Sequence, residues 1–162
     1  HLFFLPTTLP TAPTTPAPTP AVPAVDVISM FSDAYTNVPV DTWSAVWDQA
    51  STVLAELSVG DVVAVHASDT GGVAGFIAEL GWDGNTSVSD VSWKVSTTEV
   101  PGWETAGFDD SGWDQASSYG AYGVAPWFEN VVGFPSGSSA EWIWSSDNVN
   151  DDEVFFRYVI AP

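Results

Sequence analysis

From Asp26 onward, short runs of strand-forming residues alternate with turn-forming residues, and this spacing limits the fold more than any other feature. The turn signals are Val59-Gly60-Asp61, Asp69-Thr70-Gly71-Gly72, Trp82-Asp83-Gly84-Asn85 and Pro135-Ser136-Gly137. Many short strands separated in this way are typical of a β-sandwich or a jelly roll. The sequence therefore predicts an all-β domain over residues 26–162.

Alternating hydrophobicity places the individual strands. The clearest strand is predicted over Asp90–Ser96, where Val91, Trp93 and Val95 alternate with polar residues and share one face. Further strands are predicted at Thr52–Leu57, Asp61–Ala67, Val73–Leu80, Glu141–Trp144 and Glu153–Ile160. Helix is expected only as short pieces, at Asp110–Trp113 and, as a second candidate, at Asp41–Gln49.

Residues 1–25 form a separate segment of different composition. They hold seven of the twelve prolines and six threonines, with no glycine and no Asp, Glu, Lys or Arg. Proline removes backbone donors and biases the preceding residue toward extended conformations, so we expect a polyproline II tail. One interpretation is a semi-rigid stalk whose threonines carry O-linked sugars. The threonines concerned are Thr7, Thr8, Thr11, Thr14, Thr15 and Thr19.

The tail opens with Leu2, Phe3, Phe4 and Leu5, an apolar plug that a solvated stalk does not need. Docking of such a plug on the next copy of the chain would be a heterologous, head-to-tail contact. Contacts of this kind propagate into filaments when they do not close into rings. The sequence thus predicts an assembly plug at residues 2–5.

The charge balance restricts the partners. Lys94 and Arg157 are the two basic residues against 21 acidic ones, and the formal net charge is −19. Such a field repels nucleic acid phosphates and anionic lipid headgroups. The apolar run Val154–Ile160 is interrupted by Arg157 and is too short to span a bilayer, so no membrane insertion is expected. Cations and neutral glycans are the partners that this charge favours.

Three features indicate an extracellular protein. The chain starts at His1 rather than Met, as expected of a mature form whose signal peptide has been removed, although a fragment would look the same. Asn85-Thr86-Ser87 is an N-glycosylation sequon in a turn, which predicts glycosylation at Asn85. Together with the Thr/Pro tail, the sequon favours a secreted glycoprotein on a cell-surface appendage. The chain has no Cys, so disulfides give no information on its compartment.

Several stretches resemble a known family. Phe108 to Ala116 (FDDSGWDQA), followed by the Trp-Ile-Trp and Phe-Phe-Arg-Tyr strands, is similar to the galactose-binding-domain-like β-sandwiches attached to secreted glycoside hydrolases and surface proteins. The likeness covers roughly residues 52–160. Upstream, Asp26 to Trp43 resembles the opening of sugar-binding modules. The resemblance implies a jelly-roll sandwich that binds sugars without cleaving them and leaves the function itself open.

Tryptophans and acidic residues supply the candidate contacts. Trp82, Trp103 and Trp127 lie beside Gly or Pro in predicted loops, which marks them as sugar or subunit contacts, with a loop-lining core as the competing account. Carboxylates cluster in two loops, and closely spaced carboxylates suit the oxygen ligands of Ca²⁺. The family resemblance implies a structural Ca²⁺ there. A solvated acidic surface is the alternative. The candidate ligands are Asp109, Asp110, Asp114, Asp151 and Asp152.

Two further residues are expected to be structural. Arg157 interrupts an apolar strand and is predicted to pair with Asp109 or Asp110 rather than with a ligand. His66 is predicted to be a structural histidine. With no thiol, one internal His and no phosphate loop, the chain is predicted not to be an enzyme.

Two functions remain at this point. The first is a structural subunit of an extracellular glycosylated filament, in which the tail joins one sandwich to the next copy. The alternative is a carbohydrate-binding module carried on a stalk by a secreted polysaccharide-degrading or adhesive protein.

Overall fold

A computed structural model of the chain describes residues 26–32, 35–38, 41–43, 50–55, 57–69, 72–128 and 131–162. The predicted tail at residues 1–25, with its apolar plug Leu2–Leu5 and its six threonines, lies outside the described residues. So do the last six residues of the helix candidate Asp41–Gln49, whose first three residues form a strand instead. The boundary between tail and domain therefore stays a prediction.

The described residues contain strands and turns but no helix, which confirms the all-β class. No described helix is long and apolar enough to cross a membrane. The strands are β1 (Asp26–Ser32), β2 (Tyr35–Val38), β3 (Asp41–Trp43), β4 (Ser51–Ala55), β5 (Val62–Ser68), β6 (Phe76–Trp82), β7 (Asn85–Val88), β8 (Lys94–Ser96), β9 (Asp114–Gln115), β10 (Ser117–Ala121), β11 (Glu141–Trp144) and β12 (Glu153–Val159).

These strands form two antiparallel sheets. The first has the order β10-β11-β6-β1-β4, with β7 also paired to β6, and the second has the order β3-β2-β5-β12-β8-β9. The longest register in the second sheet runs from Val62 opposite Val159 to Ser68 opposite Glu153. Two antiparallel sheets that share one core are compatible with a β-sandwich.

The main core lies between the two sheets and follows the strand period. On β5, Val63, Val65 and Ala67 are buried in it, and on β12 Val154 and Phe156 alternate in the same way. Phe156 stacks on Phe76 of the first sheet with ring centres 5.1 Å apart, so aromatic rings of both sheets meet in this layer. Burying a side chain of this size contributes about 1.5–3 kcal/mol.

A smaller cluster covers the opposite face of the first sheet. Ile77 alternates with the core residues of β6 and packs with Trp142 and Phe134. Trp127 stacks on Trp142, with ring centres 4.5 Å apart and planes at 17°. Gly75 makes this possible, because a Cβ at that position would lie 2.7 Å from Cζ2 of Trp127.

The opposite face of the second sheet is also covered. Residues 97–113, which we call the covering loop, contribute Trp103, Phe108 and Trp113 to a cluster with Ala64 and Phe155. Trp103 meets Phe155 edge-on, with ring centres 5.2 Å apart. Alternate residues of β5 and β12 therefore face this loop rather than solvent.

The predicted strand Asp90–Ser96 is wrong over its first half. Only Lys94–Ser96 is a strand, and Val91 is 52% exposed. The carboxylate of Asp90 accepts a hydrogen bond from the Ser92 amide at 2.7 Å, and the Trp93 amide donates to the Asp90 carbonyl at 3.2 Å. The Asp side chain thus stabilises a turn that competes with the strand.

Other local predictions are confirmed or corrected by small shifts. β11 has the predicted bounds, while β4, β5 and β12 agree to within two residues at each end and β6 begins three residues later than expected. The turn at Asp83-Gly84 is confirmed as a two-residue hairpin: Trp82 pairs with Asn85, and φ is 44° at Asp83 and 78° at Gly84. Asp110–Trp113, predicted as a short piece of helix, is instead a turn in which the Trp113 amide donates to the Asp110 carbonyl at 2.9 Å.

Candidate functional site

A polar cleft of about 470 Å³ opens beside β8 and β9. Most of its lining side chains carry hydroxyl, amide or carboxylate groups. The lining residues are Val95, Ser96, Thr97, Asp114, Gln115, Ser145, Ser146 and Asp151. Two of the five predicted calcium ligands, Asp114 and Asp151, therefore share this cleft, although 37 positions of sequence separate them.

Asp114 is held on the cleft wall by strand pairing. It pairs with Val95 in the β8–β9 ladder, and Lys94 pairs with Gln115. Directly after β9, the Ala116 amide donates to the Trp93 carbonyl at 2.8 Å. Since Trp93 is fully buried in the main core, this wall of the cleft is fixed to the rigid part of the domain.

Asp151, on another part of the cleft wall, is held by three hydrogen bonds. Its Oδ2 accepts from the Ser145 hydroxyl at 2.6 Å, and its carbonyl accepts from the indole Nε1 of Trp144 at 2.9 Å. Its amide donates to the Asp147 carbonyl at 3.1 Å. Both the backbone and the carboxylate of Asp151 are thus oriented by neighbours, one of which is the core residue Trp144.

The turn next to this wall is closed by Asp147. Its Oδ1 accepts from the Val149 amide at 3.2 Å, from the Asn150 amide at 3.1 Å and from Nδ2 of Asn150 at 3.0 Å. The side-chain hydrogen bond of Asn150, with the Val149 amide next, lowers the pKa of Asp147 below its usual 3.8. The Asp147 carboxylate therefore stabilises the turn that leads to Asp151.

The electrostatic field of the cleft is negative. No Lys or Arg is among the residues that line it in the described part of the chain. Both cations lie instead beneath the covering loop, in register with each other on β8 and β12. Lys94 Nζ donates to the Trp113 carbonyl at 3.0 Å. Asp114 and Asp151 therefore have no cation among the other lining residues.

Arg157 confirms its predicted pairing with Asp110. Its Nε donates to Oδ2 of Asp110 at 2.8 Å, while only 1% of the Arg157 side chain is exposed. The guanidinium also donates to the carbonyls of Trp103 and Thr105 and lies 5.1 Å from the ring centre of Phe108. Arg157 thus anchors the covering loop to the second sheet, with its donors used inside the protein.

Two of the three predicted contact tryptophans are core residues. Trp82 is 8% exposed in the main core, and Trp103 is 6% exposed beneath the covering loop. The competing account, a loop-lining core, therefore applies to both, and we correct the prediction for them. The rings pack on residues far away in sequence, so little of either ring remains for a sugar face.

Trp127 is flanked in sequence by apolar residues whose side chains are exposed. Val124 is 36%, Phe128 52% and Val132 67% exposed, and Trp127 beside them is partly buried. We call these four residues the apolar loop. Phe128 has a φ of 54°, in the left-handed region that bulky residues rarely adopt. Sequence analysis selected Trp127 but missed Phe128, although Phe128 directly follows it.

The remaining calcium candidates do not form a ligand set. Asp110 is bound to Arg157, and Oδ1 of Asp109 accepts the Ser111 amide at 3.0 Å. A hydrogen bond from the Ser111 side chain, followed by that amide, lowers the pKa of Asp109. Within the described ranges, no group of three or more Asp, Glu or His side chains is arranged to hold a metal. The described residues therefore show no ligand set for the implied Ca²⁺, which stays a prediction.

His66 and Asn85 lie where sequence analysis expected them. His66 Nε2 is 2.9 Å from Oε1 of Glu153, and its ring stacks on Phe155 at 4.5 Å, which are structural contacts. Asn85 is exposed at the start of β7. The Ser87 hydroxyl of the same sequon donates to the Tyr158 hydroxyl at 2.7 Å. Exposure makes Asn85 accessible, and its glycosylation stays a prediction.

Comparison with known proteins adds no relatives: no family model, no curated protein and no solved structure matches this chain. The likeness to galactose-binding-like domains therefore stays a prediction from the sequence, while the two antiparallel sheets are compatible with a β-sandwich.

Proposed function

We propose that this chain is a non-catalytic, extracellular structural subunit of a glycosylated filament or surface appendage. Its domain is a galactose-binding-like jelly roll, and its N-terminal tail joins each copy to the next. O-linked sugars on the tail threonines and an N-linked glycan at Asn85 cover the assembled surface. The observation that carries the proposal is the exposed apolar loop.

The apolar loop has the properties of a contact surface. Phe128 exposes half of its side chain and adopts a left-handed backbone conformation that costs a bulky residue about 1–2 kcal/mol. Strained, exposed residues persist where a function requires them. Within the loop, Trp127 provides a fixed point because its ring stacks on Trp142 of the first sheet. A second apolar surface seated here would remove Phe128 and Val132 from water.

The N-terminal tail supplies a matching partner. Leu2, Phe3, Phe4 and Leu5 form an apolar group at the end of an uncharged segment. About 20 residues separate them from Asp26, and an extended polyproline II segment of that length reaches roughly 60 Å. A folded domain of this size has a radius of gyration of roughly 14 Å. The plug of one copy is therefore able to reach the apolar loop of the next.

This function is tested on the purified native protein by electron microscopy together with light scattering. We expect regular polymers for the unmodified chain and monomers after deletion of Leu2–Leu5 or after Phe128→Ser. Val59→Ser is the matched control, because Val59 is also exposed, at 59%, but lies outside the apolar loop. Polymers that survive both changes, or an unmodified chain that stays monomeric, would refute the proposed assembly.

The polar cleft favours a second candidate function, a carbohydrate-binding module on a Thr/Pro stalk. Its serine, threonine and glutamine side chains both donate and accept hydrogen bonds, as sugar hydroxyls do. A binding screen on the monomeric Leu2–Leu5 deletion variant tests this candidate separately from assembly. We expect retention on one class of polysaccharide and loss of retention after Gln115→Ala, with Glu104→Gln as a control on the covering loop.

A further inference from the structure

The polar cleft combines two carboxylates with a ring of hydroxyl groups. We propose that it binds an amino sugar, whose ammonium group is held by Asp114 and Asp151. This inference rests on the second candidate function, glycan binding at the cleft, and specifies the class of glycan. It does not depend on filament assembly.

The two carboxylates belong to separate segments whose backbones are held in place. Asp114 is fixed by the β8–β9 ladder, and Asp151 by its hydrogen bonds to Ser145 and Trp144. The 2.6 Å bond from the Ser145 hydroxyl orients one oxygen of Asp151 before any ligand arrives. Preorganised groups lose little entropy on binding, which is what a selective site needs.

The charge around the cleft selects against anions. Arg157 is 1% exposed and pairs with Asp110, while Lys94 donates to a backbone carbonyl of the covering loop. No cation among the described lining residues compensates Asp114 and Asp151, and the formal net charge of the chain is −19. Uronates and sulfated sugars are therefore repelled, whereas an ammonium group gains charge-assisted hydrogen bonds.

The remaining lining fits the rest of a sugar. Ser96, Thr97, Gln115 and Ser146 bring hydroxyl and amide groups to the same space, so both donors and acceptors face the ligand. The volume of about 470 Å³ lies within the roughly 300–1,000 Å³ usual for small-molecule sites. Among the described lining residues, the one apolar side chain is that of Val95, which is buried, so recognition depends on polar groups rather than on ring stacking.

The experiment is isothermal titration of the full chain with three probes at low salt. They are a β-1,4-linked glucosamine tetramer, its fully N-acetylated form and a glucuronate-containing oligomer of the same length. We expect the amino form to bind about 10-fold or more tightly than the acetylated form and the uronate not to bind. The preference should shrink as salt is added, because screening weakens exposed charge pairs.

Two kinds of variant locate the effect. Asp114→Asn and Asp151→Asn should reduce the preference for the amino form to less than about threefold, while Glu104→Gln should leave it unchanged. Gln115→Glu adds a third carboxylate to the cleft and should increase the preference. Thermal unfolding of each variant shows that it is folded.

The opposite results distinguish failure of the amino-sugar inference from failure of glycan binding as a whole. Equal binding of the amino and acetylated forms, or an unchanged preference in both Asp→Asn variants, overturns the inference and leaves glycan binding intact. Tighter binding of a lysine-rich peptide than of the amino tetramer overturns it as well. If none of these sugars and no other glycan binds, the second candidate function itself fails.

Discussion

The covering loop on the second sheet and the apolar loop on the first both contain aromatic residues, but they differ in how far these residues are exposed. Trp103 in the covering loop is 6% exposed, whereas Phe128 in the apolar loop is 52% exposed. Arg157 and Lys94 hold the covering loop through its own carbonyls and through Asp110. Trp127 of the apolar loop stacks on Trp142 of the first sheet. A buried cation thus holds the covering loop over its sheet, while the apolar loop keeps Phe128 exposed.

The largest expected effect comes from removing the cation. Arg157→Met should lower the free energy of unfolding by about 3–5 kcal/mol, because Asp110 and two loop carbonyls lose their buried donor. Near-ultraviolet circular dichroism should report the loss of the packing between Trp103 and Trp113, whose ring centres lie 6.2 Å apart. Denaturant unfolding gives the magnitude.

Lys94→Met is the matched control, since Lys94 makes one such contact rather than several. It should cost about 1 kcal/mol. If the two variants lose the same stability, Arg157 has no special role as an anchor and the contrast between the two loops disappears.

Gly75 tests the support of the apolar loop. In Gly75→Ala the new Cβ would lie 2.7 Å from Trp127 and 2.9 Å from Trp142, so the stacked pair has to move. We expect a loss of about 1–3 kcal/mol together with a change in tryptophan fluorescence. Gly107→Ala in the covering loop is the control, because a Cβ there meets nothing within 4 Å. Equal effects of both substitutions would show that packing on Trp142 does not support the loop.

A substitution at Phe128 tests whether this strained residue is needed for assembly or for the stability of the domain. Asn adopts the left-handed conformation more readily than Phe, so Phe128→Asn should leave the free energy of unfolding unchanged or raise it by up to about 1 kcal/mol. Under the proposed function the same variant should lose assembly in light scattering. A loss of more than about 1 kcal/mol would identify Phe128 as a structural residue instead.

The sequence predicts the contacts of the covering loop better than those of the apolar loop. The pairing of Arg157 with Asp110 was predictable, because a lone cation in an apolar strand requires a carboxylate as its partner. Trp103 and Trp127 could not be told apart, since both follow Gly or Pro and their burial depends on Phe155 and Trp142, which are distant in sequence. Local context carries no information about such partners.

The cleft illustrates a similar limit. The sequence places its two acidic residues in two separate clusters of carboxylates, but their meeting in one cleft depends on the pairing of β8 with β9 and on the turn that begins at Asp147. Ser96 and Ser145 carried no signal at all, because single serines are common on strand ends. The strand assigned to Asp90–Trp93 failed for a local reason, since alternation does not reveal that the Asp90 carboxylate closes a turn.

The smallest expected effect concerns Asp147 beside the cleft and Asp109 in the covering loop. Hydrogen bonds from Asn150 and Ser111 lower their folded pKa values below the usual 3.8. A depressed carboxylate pKa stabilises the fold above the unfolded pKa, and this contribution is lost as the pH falls through the folded value. The stability difference between the unmodified chain and Asp147→Ala should therefore narrow only below about pH 3.8. Carboxyl-carbon NMR titration provides the direct check. A midpoint for Asp147 above 3.8 would mean that the turn does not hold the carboxylate, and Asp151 would then lose part of its support on the cleft wall.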